Sequence, residues 1–76
     1  MLKQELEELF GSMSKVVREK LKPVMDNLLE RAQEHDEHSH KDREYYDEER
    51  ELIMKEVHKV KYLNDQWYIM NGKKNN

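Results

Sequence analysis

Cysteine does not occur in the 76 residues, and that single absence removes disulfide scaffolds, thiolate zinc sites and cysteine nucleophiles together. Only two glycines and one proline are present, so the chain has few built-in turns and reads as helical, with no sheet expected. Long apolar runs are missing too. Nothing approaches the roughly 20 residues of a membrane-spanning helix, and Met1 leads into Lys3, Gln4, Glu5 and Glu7 without an apolar signal core. The expectations that follow are no membrane partner and a cytoplasmic location. Charge of one sign is not in excess: 17 acidic against 14 basic residues give −3. Such a near-balance implies neither general attraction to nucleic acid nor mimicry of it.

Catalytic motifs are also absent. There is no glycine-rich phosphate loop, no H-E-x-x-H and no G-x-S-x-G. Carboxylates are plentiful, but acid–base work needs a cleft that shifts their pKa values, and a few packed helices of this length enclose little such volume. No enzyme activity, catalytic residue or cofactor is expected.

What the chain does contain is a row of apolar residues at helical spacing: Leu6, Phe10, Met13, Val17, Leu21, Val24 and Leu28. The phase runs through Gly11 and Pro23, which predicts one long first helix kinked near Pro23 rather than two that share a register. A second row, Leu9, Val16, Met25, Leu29 and Ala32, lies beside the first. Two rows are too wide for one partner helix. Leu9, Val16, Met25 and Leu29 therefore read as a dimer interface.

From Glu34 to Asp42 apolar residues vanish, marking a bend, with Ser39 and Asp42 spaced as a capping box. A second helix from about His40 carries Tyr46, Ile53, Val57 and Val60 on one face, with Trp67 continuing it and Glu49 and Glu56 at its edges. Folding back at Glu37 to His40 sets Val60 against Val17, Ile53 against Val24, and Trp67 over Phe10. The expected fold is an all-α helical hairpin spanning residues 1–70 that dimerises into a four-helix bundle. Residues 71–76, Asn-Gly-Lys-Lys-Asn-Asn, read as a disordered tail.

Three groups of side chains invite a functional reading. His35, His38 and His40 lie among carboxylates at spacings that metal bundles use, but at a polar bend with no second carboxylate–histidine pair elsewhere, so no metal is expected. Lys55, Lys59 and Lys61 offer a basic half-helix, the basis of an alternative reading as a dimeric DNA-binding transcriptional regulator. The favoured reading rests on acidic Asp47, Glu48 and Glu51 and on the aromatic end at Tyr62, Trp67 and Tyr68. Tryptophan and tyrosine are enriched in interface cores and hot spots. The chain thus reads as a non-enzymatic protein-binding module. In composition it is similar to small regulators and inhibitors from phages and mobile elements, which implies a host protein as partner.

Overall fold

The computed structural model describes residues 1–38 and 42–71. All regular structure among them is helical: α1 (Leu2–Gly11), α2 (Lys15–Lys20), α3 (Lys22–Glu37) and α4 (Arg43–Asn71). The single kinked first helix does not form, and the departure begins at Gly11. Glycine is a poor helix former, and the Ser12 hydroxyl donates to the Leu9 carbonyl at 2.7 Å, drawing the chain into a local turn. Ser14 then takes an extended conformation (φ −55°, ψ 136°) as the residue before α2. Its amide donates to the Asn64 side-chain oxygen at 3.0 Å. That long-range bond replaces the partner a continuous helix would have supplied.

Pro23 acts more gently. α2 ends at Lys20, Leu21 links the two helices, and α3 begins one residue before the proline, where a missing N–H costs nothing because the first turn has no acceptor for it. The Met25 amide still reaches the Leu21 carbonyl at 2.9 Å, so the junction is a bend with hydrogen bonds on both sides. The larger change of direction lies between Gly11 and Lys22.

Across it the chain reverses. The Leu2 and Lys3 amides donate to the two carboxylate oxygens of Asp36 at 2.9 and 3.0 Å, and the Lys3 ammonium reaches Gln33 at 3.2 Å. α1 therefore runs antiparallel to α3, its start beside the end of α3. Glu5 pairs with Arg50 at 3.3 Å and Ser14 with Asn64, so α4 runs parallel to α1. The result is three long helices, up, down and up, with α2 as a short link, in a body of 48 × 17 × 17 Å.

This arrangement explains the wide apolar stripe. The α3 surface needs two partner helices, and the chain supplies both, α1 on one side and α4 on the other. Leu2, Leu6, Phe10, Met13, Met25, Leu28, Ala32, Ile53, Val57 and Val60 form one core. Met25, expected at a dimer interface, is 5% exposed inside this core, whereas Val24, expected in the core, is 44% exposed. The buried face of α3 is Met25, Leu28, Ala32 and His35, the side that α1 and α4 cover between them. Leu9 and Leu29 are half-buried against the core, and Val16 alone of the four expected interface residues is exposed.

The α3–α4 register also differs from the hairpin expectation. His35 meets Glu49 and Arg31 meets Glu56, about two to three turns further along α4 than a fold at Glu37 to His40 gives. Trp67 lies about a turn past Asn64, at the end where α1 passes into α2. The opposite end, where Leu2 sits against Asp36, is out of its reach. Asn71 is still helical, its side-chain amide donating to the Trp67 carbonyl at 2.9 Å. Ser39, His40 and residues 72–76, which carry part of the capping box, of the histidine cluster and of the tail, lie outside the described residues.

Candidate functional site on helix α4

α4 is 29 residues long, or about 43 Å at 1.5 Å per residue. One face, Ile53, Val57, Val60 and Asn64, is buried against the body. Asn64 sits in that row because its oxygen satisfies the Ser14 amide, a group that burial would otherwise leave unpaired. Replacing it with alanine strands that donor. Asn64→Ala is expected to cost about 1–3 kcal/mol, read as a lower urea midpoint with an unchanged slope.

At its first turns α4 meets α3 through polar groups. His35 is completely buried, its Nδ1 2.7 Å from Glu49 Oε1, its ring stacked on Tyr46 with centroids 3.9 Å apart. The Tyr45 hydroxyl donates to the other Glu49 oxygen at 3.2 Å. That carboxylate's charge raises the Tyr45 phenol pKa above its ordinary value, with the hydrogen bond adding to the effect. Among the described residues His35 Nε2 and His38 Nδ1 have no hydrogen-bond partner. No group of three or more histidine, aspartate or glutamate side chains placed to hold a metal occurs among them either.

The histidine expected in a solvated bend is thus a core residue. The signal was available: Leu28, Ala32 and His35 continue the apolar row of α3 at helical steps. Glu49 and Glu56, at the edges of the apolar face of α4, hold His35 and Arg31 respectively. Asp36 carried no sequence signal, since its partners are backbone amides far away in the chain.

The rest of α4 faces outward. Asp47, Glu51, Tyr62 and Ile69 follow one another at steps of four, eleven and seven, and so share one ridge. All four are exposed, Tyr62 by 61% and Ile69 by 57%. Glu48 leaves this ridge and sits beside Leu52 on a neighbouring flank. Trp67 is half-buried, with Tyr68 meeting its ring edge-on at 5.2 Å and 83°. Of the six residues expected to contact a partner, the structure therefore aligns Asp47, Glu51 and Tyr62 and turns Glu48, Trp67 and Tyr68 aside.

Lys55 and Lys59 share a flank, but helical spacing turns Lys61 to nearly the opposite side. The three lysines do not form one patch. A separate open groove of about 410 Å³ lies between α1, α2 and α3, floored by Phe10, Met25 and Leu29 and edged by Lys15 and Arg18. Lys22, on the same edge, is paired with Asp26 at 3.3 Å. No helix among the described residues is long and apolar enough to cross a membrane. No protein-family model, curated protein or solved structure matches this chain, so what it does has to be argued from these side chains.

Proposed function

We propose that the protein is a small non-enzymatic binding module, a regulator or inhibitor, that docks on a partner protein through the outward ridge of α4. The observation that carries this reading is the ridge itself. Carboxylates at Asp47 and Glu51 lead along the helix to Tyr62 and Ile69, large apolar side chains left open by a body that buries α4 on its other side. A helix presenting anchors at such spacing suits a groove on another protein. The acidic end favours a partner with a basic surface next to that groove, which raises the association rate more than it tightens the complex.

The test compares capture of a partner by the wild type and by variants with unchanged helical circular dichroism, as substitution of exposed residues should leave it. Tyr62→Ala combined with Ile69→Ala is expected to weaken binding by about 30-fold or more, the effect of losing about 2 kcal/mol at a hot spot. Asp47→Lys with Glu51→Lys should slow association and remove its salt dependence. Equal recovery by all variants, or no specific partner for the wild type, would overturn the reading.

A further inference from the structure

A different flank of α4, next to α3, carries four more exposed side chains: Tyr45, Leu52, Leu63 and Met70, with 47%, 60%, 49% and 74% of their surfaces in solvent. The positions between them at alternating steps of four and three are Glu49, Glu56, Lys59 and Gln66. Steps of this kind form the straight seam along which one helix packs on another. The seam is also symmetric in its chemistry. Counted outward from a midpoint between Val57 and His58, Glu56 mirrors Lys59, Leu52 mirrors Leu63, Glu49 mirrors Gln66, and Tyr45 mirrors Met70.

We infer that this seam is the interface of a homodimer in which two α4 helices pack antiparallel about a two-fold axis crossing that midpoint. Each Leu52 then lies on Leu63 of the second copy and each Tyr45 on its Met70. Glu56 pairs with Lys59 of the second copy, and the reverse pair forms at the same time. Glu56 already holds Arg31, yet its side chain keeps 46% of its surface exposed and has an oxygen to offer. Charge decides the direction of pairing. Within the seam the carboxylates, Glu49 and Glu56, precede the midpoint and Lys59 follows it, so antiparallel packing lays the acidic half of each seam beside the basic half of the other. Parallel packing would set Glu56 on Glu56 and Lys59 on Lys59. A two-fold contact of this type closes on itself and adds no further copies. The Asp47, Glu51 and Tyr62 ridge lies on a different flank and stays open, so the dimer stands whether or not that ridge binds a partner protein.

The mass of the full chain in solution tests this, by sedimentation or light scattering at high micromolar concentration. The wild type is expected at twice the chain mass of 9.4 kDa. Leu52→Asp with Leu63→Asp should return it to the mass of one chain with helical content kept, since both side chains are exposed. Lys59→Glu alone and Glu56→Lys alone should each be monomeric, and mixing the two should restore a dimer, because each like-charge pair becomes an opposite pair. The lack of native cysteine gives a readout that does not depend on charge. Under mild oxidation Leu52→Cys mixed with Leu63→Cys should cross-link the unlike chains. Cross-linking of Leu52→Cys to itself would mean parallel packing and overturn the assignment. A wild type with the mass of one chain overturns it too. So does a dimer that survives Leu52→Asp with Leu63→Asp but is lost on Leu9→Asp with Leu29→Asp, which would place the contact at the α1–α3 groove.

Discussion

Met25→Ala is expected to lower stability by about 2–5 kcal/mol, the usual range for truncating a large side chain in a packed core. The same truncation one residue earlier, Val24→Ala, should stay within about 0.5 kcal/mol, as surface changes do. Met25 is 5% exposed and Val24 44%, although the unbroken apolar row of the sequence assigns them the opposite way. A domain of this size has a total stability of only some 4–11 kcal/mol, at 0.05–0.15 kcal/mol per residue. The Met25 change therefore removes a large share of it. Thermal unfolding followed by circular dichroism reads the difference, since each kcal/mol moves the midpoint by about 4–8 °C in a domain of this length. Equal effects at the two positions would mean that the helix runs on through Gly11 and that the reversal onto α3 is wrong.

Asp36→Ala is expected to cost about 2–3 kcal/mol, more than the typical loss of about 1 kcal/mol for a helix cap. The start of α1 has no side-chain cap of its own, and Asp36 accepts from both the Leu2 and the Lys3 amides. Hydrogen bonds to a charged acceptor are worth more than neutral ones, and the carboxylate also lies at the positive end of the α1 dipole. Near the end of α3 the same negative charge is unfavourably placed for its own helix. Its worth is therefore entirely in the contact between helices. Asp36→Asn separates the two contributions: it keeps an oxygen acceptor and loses the charge, so about half of the cost should return. Amide exchange at Leu2, Lys3 and the following turn of α1 should speed up in both variants, well ahead of exchange in the middle of α4. If α1 stays protected in Asp36→Ala, the carboxylate is not what fastens it.

Both predictions turn on contacts that sequence periodicity alone could not arrange. The spacing of Leu6 and Phe10 and of Ile53, Val57 and Val60 identifies the helices α1 and α4 and their buried sides correctly, because a helix must bring every third or fourth residue to one face. The surplus apolar width of the first half was also legible. Its meaning was not. A stripe too wide for one neighbour requires a second helix, and periodicity does not say whether that helix belongs to the same molecule. Here it is α1, folded back by the turn at Ser12 to Ser14 and fastened by Asp36.

The polar residues of the core were missed for a related reason. His35, Glu49 and Asn64 look like interruptions when each is considered within its own helix. They become satisfied partners only once Glu49 faces His35 and Asn64 faces the Ser14 amide. Burying such groups without those partners would cost several kcal/mol, and hydrogen bonding within the fold removes most of that penalty. On α4 the expected contact set was legible in kind and not in arrangement: Asp47, Glu51 and Tyr62 share a ridge, whereas Glu48, Trp67 and Tyr68 point elsewhere.

By itself the sequence determined that the chain is helical, which side of each helix is apolar, and that no cysteine chemistry is available to it. These are properties of composition and of a period close to 3.6 residues, and they need no knowledge of distant neighbours. Tertiary structure alone decided that Gly11 to Ser14 is a reversal, that Met25 is inside and Val24 outside, and which outward flanks of α4 are left open. Those outcomes depend on which surfaces meet across long stretches of chain, where a single hydrogen bond such as Ser14 to Asn64 can outweigh the local preference to continue a helix.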